Sequence, residues 1–246
     1  MTARRSAILT YHSLDDSGSV ISMPPERFRR QMEFLASSSV PVVPLDEALR
    51  RPNCVAITFD DGYRNLRDHA VPLLDRLRFP ATIFVVSGYC GGSNNWPGQP
   101  SGVPGLPLMG WRDLASLPSW ISIGAHTDTH PHLTALPEAE CERELRDCQD
   151  QIEQHLGRRT RWLAYPYGSR SASVMAAAGR HFDLAVGTSL RFLSSRSCAL
   201  DLPRIDAYYL RGRFTLEHLF RPSGVLYIGL RGVLRNVRSA KSSTMG

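Results

Sequence analysis

The chain has 246 residues, 42% of them hydrophobic and 21% charged, a composition that supports a buried core and excludes a disordered or collagen-like polymer. Its formal net charge of +6 suits an anionic partner, but only GLRGVLRNVRSAK near the end gathers the arginines and no nucleic-acid-binding motif accompanies them, so nucleic acid is not expected. No stretch approaches the ~20 apolar residues of a membrane span, MTARRSAILTYHSL lacks a secretory apolar region, and five cysteines without a CxxC pair do not read as a disulfide framework; the expectation is a cytoplasmic protein.

Strand-like and helix-like segments alternate along what reads as one domain, 1–246, which predicts an α/β fold with parallel strands. AILTY (7–11) is a short apolar strand, followed by the helix PPERFRRQMEFLA (24–36) with proline in its first turn. VPVVPL (40–45) and VAITF (55–59) read as the next strands, and YRNLRDHAVPLLDRL (63–77) as a helix that Pro72 kinks or interrupts. ATIFVV (81–86) is a buried strand. Residues 88–110, dense in Gly, Pro, Ser and Asn, predict a long rim or lid loop carrying Trp96.

A short helix at WRDLASL (111–117), opening on Trp111, precedes the strand WISIGAH (120–126). The long helix at 137–156 has Pro137 at its start, Glu138 and Glu140 in its first turn and Gly157 past its end, as helix polarity favours. On it Cys141 and Cys148 share a face with Leu145, Ile152 and Leu156, and read as small core hydrophobes. WLAYP (162–166) and LAVGT (184–188) are strands flanking a helix at SASVMAAAGRHF (171–182). LPRIDAYYL leads into an amphipathic basic segment, 225–246, in which Arg231, Arg235 and Arg238 share a helical face with Leu226, Leu230, Val233, Leu234 and Val237 largely opposite. Such a helix caps a fold, or rests on an anionic surface such as the inner membrane through 225–241.

Two clusters carry chemistry. Asp60 and Asp61 stand side by side directly after the apolar strand VAITF, where burying either ionised carboxylate costs several kcal/mol unless a cation or donors compensate. HTDTH, His126 to His130, follows the WISIGA strand; imidazoles four residues apart converge if the backbone makes one helical turn. One aspartate of the pair with His126 and His130 would supply the three protein ligands of a catalytic zinc site, leaving the other aspartate free as a base. Each cluster alone has a plain reading, a solvated turn or surface histidines, but both follow strands and so fall at the same end of a parallel sheet, where barrels build active sites.

TFDDG (58–62), HTDTH (126–130) and AYPYG (164–168), in this order, resemble the NodB-type polysaccharide deacetylases of carbohydrate esterase family 4. The likeness is strongest over about residues 53–210, and the amino-terminal LTYHSL with the later LPRI resembles the exopolysaccharide deacetylase subgroup, in which a YH motif precedes the TFDDG strand. The resemblance implies a distorted (β/α)7 barrel and metal-assisted hydrolysis of N-acetyl or O-acetyl groups on an acetylated carbohydrate. It implies Asp60 as general base, Asp61, His126 and His130 as ligands of a divalent ion, and the backbone N–H of Tyr167 as an oxyanion donor. Zinc is the first expectation for that ion, with cobalt, nickel or manganese acceptable to the same donors.

Two departures from the family pattern bear on roles. No late LxH histidine is present to protonate the leaving amine, and the YH subgroup points instead to His12. The arginine of the usual RxPxG motif, which holds the catalytic aspartate, is replaced by Ala164, and Arg204 of LPRID is the candidate substitute. These departures also motivate another reading, a sugar-binding protein that has lost catalysis; a third, a deacylase of a small amidated metabolite, keeps the metal chemistry and changes the pocket. Trp96 and Trp111 are candidates to stack on a sugar face or to pack within the protein.

Overall fold

The computed structural model describes residues 5–212 and 214–243, with side chains in the last helix as far as Arg235. Seven short strands form one sheet in which every pairing is parallel: β1 (Ala7–Tyr11), β4 (Val55–Phe59), β5 (Ala81–Val85), β6 (Ile121–Ala125), β7 (Trp162–Ala164), β8 (Leu184–Val186) and β9 (Ile205–Asp206). Their order, β8-β7-β6-β5-β4-β1-β9, is a fan whose two edges meet in the segment just before β9. Leu202 bridges Val186 of β8, and three residues later Ile205 pairs with Leu9 of β1. The sheet therefore curls on itself as the distorted (β/α)7 barrel expected from the sequence. A separate two-stranded ladder joins β2 (Ser13–Leu14) and β3 (Ser22–Met23).

The helices are α1 (Pro25–Ser37), α2 (Leu66–His69), α3 (Val71–Leu77), α4 (Trp111–Ala115), α5 (Glu138–Leu156), α6 (Ala172–Ala178), α7 (Leu216–Leu219) and α8 (Pro222–Ser243). On α5, Cys141, Leu145, Cys148 and Ile152 are buried as the face predicted, while Leu156 is only partly so. All five cysteines are free thiols.

Side-chain alternation divides the barrel. Val55, Ile57 and Phe59 of β4 belong to the larger core beneath the helices, whereas Ala56 joins Ile8, Phe84, Ala164, Val186 and Leu202 in a smaller core. That second cluster fills the interior. Phe84 fits there because β6 has glycine opposite it; a Cβ on Gly124 would lie 2.3 Å from the Phe84 ring. Continuing the same parity along β4 puts Thr58, and then Asp60, on the inner side.

The structure departs from the sequence expectations at three places. Residues 40–45 form no strand: Val42 makes a single bridge to Val55, because Pro41 and Pro44 have no N–H with which to extend a ladder. The helix expected over 63–77 starts only at Leu66; it is interrupted as expected near Pro72, with the break at Ala70 and Pro72 in the first turn of α3, where its missing donor costs nothing. HTDTH is not a helical turn. It is a loop in which Thr127 and His130 adopt left-handed φ of 65° and 63°.

Candidate active site

Asp60 and Asp61 leave the end of β4, His126 the end of β6, His12 the end of β1, and the turn Pro166–Gly168 the end of β7. Arg204 stands one residue before β9. The structure brings all of the sequence-predicted side chains, His12, Asp60, Asp61, His126, His130, Tyr167 and Arg204, to the lining of one pocket.

Asp60 is clamped. Arg204 donates from Nη1 to Oδ1 at 2.7 Å and from Nη2 to Oδ2 at 2.6 Å, a fork-to-fork pair between two buried side chains. The guanidinium is itself held by Nε donating to the Gly187 carbonyl at 2.9 Å and by a longer contact to Thr58 Oγ1. His12 completes the surroundings with Nε2 3.8 Å from Asp60 Oδ2, too far for a hydrogen bond. Burial raises the pKa of Asp60, but the charge and hydrogen bonds of Arg204, helped by His126 and His12, outweigh it and keep the carboxyl below the usual range. The guanidinium missing at Ala164 is thus supplied by a residue 40 positions later in the chain.

Asp61 is partnered differently. Its Oδ1 lies 3.4 Å from His126 Nε2 and 3.5 Å from His130 Nε2, and it is buried with no hydrogen-bond donor, as is His130 Nδ1. Polar atoms are rarely left so without a reason. Ligand atoms ~2.0–2.2 Å from a tetrahedral centre stand about 3.3–3.6 Å apart, so the two measured separations suit a shared cation. Donor chemistry agrees, since one carboxylate oxygen and two imidazole nitrogens converge within 4.8 Å of one another. The residues fit a divalent ion.

The ring of His126 is fixed by its far nitrogen: Nδ1–H donates to the Ala164 carbonyl at 2.7 Å, and because a carbonyl can only accept, the lone pair of the neutral ring is on Nε2, toward Asp61. Burial would lower the pKa of His126, but Asp61, Asp60 and that carbonyl raise it. His130 goes the other way. Burial and the neighbouring His126 push it down to about 3, which leaves its ring neutral. Asp61 is held low by its imidazole neighbours, His126 first, against the opposing effect of burial.

The loop that aims the histidines is tied by a residue that sequence reasoning missed. Glu144 of α5 accepts at Oε2 from the backbone N–H groups of Asp128 and Thr129 at 2.9 and 2.8 Å, and at Oε1 from the Thr129 hydroxyl at 2.6 Å. Gln151, seven residues on, donates to Asp128 Oδ1 at 2.6 Å, and Ser87 donates to the same oxygen at 2.7 Å. The spacing of Glu144 and Gln151 on one helical face was a visible signal, but it reads equally well as a solvated face.

Tyr167 lies at φ 57° in its turn, its ring stacked on His132 at 4.0 Å between centroids and edge-on to His130. Gly168 after it has φ +67°, and a Cβ there would lie 2.1 Å from Thr188 Oγ1, so this turn accepts only glycine. Trp96 is buried against His130, ring centroids 4.4 Å apart, and is part of the pocket wall. Trp111 stacks on His155 and does not line the pocket. The 88–110 loop is organised by Asn94, which accepts from Leu106 N–H and donates to Pro104 O and the Tyr63 hydroxyl. With Trp96, Gln99, Pro100 and Val103 it forms one wall of the pocket, as a rim should.

Comparison with known proteins bears on the fold and the family. YxkH of Bacillus subtilis (strain 168) is 27% identical over 179 residues, an alignment that covers 70% of this chain and 60% of that relative's length. The Streptococcus pyogenes deacetylase PplD, solved with acetate, superposes with a TM-score of 0.74 at 21% identity over 89% of this chain and 98% of its own. IcaB from Ammonifex degensii gives 0.71 at 24% identity over 84% and 95%, and these two likenesses establish the shared fold. The sequence profile described as polysaccharide deacetylase matches residues 49–182, a span that includes Asp60, Asp61, His126, His130 and Tyr167, and the chain belongs to the polysaccharide deacetylase family.

Proposed function

We propose that this protein is a metal-dependent hydrolase, built as a single catalytic domain, that removes acetyl groups from a polysaccharide, oligosaccharide or lipid-linked glycan precursor, N-acetyl groups of amino sugars first. One observation carries the reading: two adjacent buried aspartates, one clamped by a guanidinium and the other facing two imidazole nitrogens, in the same pocket. The deacetylase family supplies the reaction class.

Asp61, His126 and His130 would hold the divalent ion, zinc first, and a bound ion supplies Lewis acidity toward an acetyl carbonyl and toward water. Asp60 acts as general base. An ionised carboxylate has about four lone-pair sites and Arg204 uses two, so each oxygen keeps one with which to take the proton of the water that adds to the carbonyl carbon. Arg204 lowers the basicity of Asp60, and in return holds it ionised and aimed. The Tyr167 backbone N–H donates to the carbonyl oxygen as charge develops, a contribution commonly worth ~2.7–4 kcal/mol. His12 gives a proton to the departing nitrogen as the C–N bond breaks, and acetate and a free amine leave.

The binding-only reading rested on the missing guanidinium at Ala164 and on the missing late histidine; Arg204 forks onto Asp60 in place of the first, and His12 in the same pocket is the candidate for the second. The test is acetate release from a panel of acetylated glycans, chitooligosaccharides beside small N-acetyl compounds, before and after chelation and with zinc, cobalt, nickel or manganese restored. Release that needs the ion and prefers oligosaccharide is the expected result. Release that is indifferent to chelation, or confined to small amides, would overturn the metal or the substrate half of the proposal respectively.

A further inference from the structure

Helix α8 buries Gly224 and Ile228 against the body, Gly224 so closely that a Cβ there would lie 2.0 Å from the His218 carbonyl oxygen. Its outward face carries Leu226, Leu230, Val233 and Leu234, which are 74%, 58%, 61% and 45% exposed. At 100° per residue these four fall in one sector about 100° wide, the width of an apolar stripe that ordinarily faces a core. Here it faces away from one. Val237 and Arg238, which the sequence pattern adds to this face and its flank, lie outside the described side chains.

Only two other large hydrophobic side chains among the described residues are exposed, Val20 and Tyr208. Val20 lines the candidate active-site pocket together with Arg235 of α8, and Tyr208 lines an adjoining groove with Leu234 and the same Arg235. Tyr208 and Leu234 thus adjoin the pocket that Val20 lines, and Val233, Leu230 and Leu226 carry the exposed apolar surface from there along α8; patches of this kind mark a docking surface.

Charge decides what docks. From Pro222 to Ser243 the sequence has Arg231, Arg235, Arg238 and Lys241 and no aspartate or glutamate. Arg235 faces the pocket, but Arg231 and, by the sequence pattern, Arg238 flank the stripe, so a second copy laid on this face would set like charges along its edge, whereas anionic lipid headgroups neutralise them while the leucines enter the acyl boundary. No helix among the described residues is long and apolar enough to cross a membrane, so the helix would lie in the interface.

We propose that α8 docks this protein on an anionic lipid surface with the pocket entrance beside the headgroups. Docking itself stands without the deacetylase reading; only its corollary, that the glycan is carried on a lipid, rests on that reading.

Co-sedimentation of the full chain with phosphatidylcholine vesicles, and with vesicles containing phosphatidylglycerol, tests it at low and high salt. Wild type is expected to sediment with the anionic vesicles, to release as salt rises, and to bind the neutral ones weakly. The pair Leu226→Ser/Leu230→Ser, at exposed positions where folding is not at stake, should weaken vesicle binding about tenfold or more, with the unfolding temperature and hydrolysis of a soluble substrate unchanged. Wild type left in the supernatant, or a leucine variant that binds as wild type does, would overturn the proposal. So would a solution dimer that the same pair dissociates, since the face would then be a self-interface. Vesicle binding is read without turnover, so its failure is distinguishable from failure of the enzymatic assignment.

Discussion

Asp60 and Asp61 are the same residue type, adjacent, and equally buried at 3% and 5% exposure, yet the fold gives them opposite surroundings. Asp60 continues the alternation of β4 into the barrel and meets Arg204. Asp61 takes a left-handed φ of 69°, which breaks the alternation and turns its carboxylate toward two imidazoles that do not reach hydrogen-bonding distance. A carboxylate with a guanidinium donor on each oxygen is suited to stay charged and aimed, and one that faces two imidazole nitrogens with no hydrogen-bond partner on its near oxygen is suited to bind a cation. One backbone dihedral separates the two roles.

The strongest way to break this contrast is to exchange the charge at each position in turn. Asp61→Asn keeps the shape and removes the anionic donor; the expected outcome is loss of stoichiometric metal by elemental analysis and acetate release at background. Asp60→Asn should leave the metal content intact while turnover falls by roughly 10²–10⁴-fold, the range of a lost general base. Equal metal loss in both variants would show that the two aspartates act as one ligand set.

Arg204 tests the same contrast through stability. Arg204→Met strands Asp60 as an unpaired buried charge, and removing one partner of such a pair costs about 3–5 kcal/mol. In the double variant Asp60→Asn/Arg204→Met the stranded charge is gone, so denaturant unfolding should recover much of that loss. If the single and double variants are equally unstable, the guanidinium matters for packing beside Phe84 and Gly187 rather than for Asp60.

How much of this was legible follows from the range of each interaction. Strands β4 and β6 are largely apolar runs that end in the motif residues, and β5 between them is a third such run, so both their direction and the end that bears the chemistry could be read. Arg204 could be named because Ala164 left a vacancy in a pattern, but its fork onto Asp60 spans 144 residues and depends on how the barrel closes. The helical turn expected for HTDTH was wrong because spacing alone cannot distinguish four residues of helix from a loop with two left-handed residues. Glu144 went unassigned for a related reason: on α5 its spacing with Gln151 equally follows the polar periodicity of a solvent face, and only the tertiary position of the loop gives it partners.

Glu144 sharpens the comparison from the ligand side. Glu144→Ala leaves the two N–H groups of Asp128 and Thr129 without their acceptor, and lost hydrogen bonds to a charged group are worth ~1.5–3 kcal/mol each at most sites, less here because the carboxylate is partly exposed. The expected outcome is a modest stability loss by thermal unfolding with weaker metal retention under competing chelator, and no change at Asp60. Glu144→Gln, which keeps an acceptor oxygen, should recover part of both.

The smallest effect concerns a third aspartate that is neither clamped by arginine nor set against histidines. Asp15, three residues after His12, accepts from the hydroxyls of Ser13 and Ser22 and from the Ser17 backbone N–H. Partial burial raises its pKa, and these hydrogen bonds outweigh that and lower it below 3.8. Because the folded value is the depressed one, Asp15 stabilises the fold at any pH above the unfolded pKa, and that contribution is lost as pH falls through the folded pKa. The stability difference between wild type and Asp15→Asn should therefore be constant from neutral pH down to about pH 5 and shrink below about pH 4. A difference that persists in acid would mean the serines hold the loop by packing, with the carboxylate charge contributing nothing to the placement of His12.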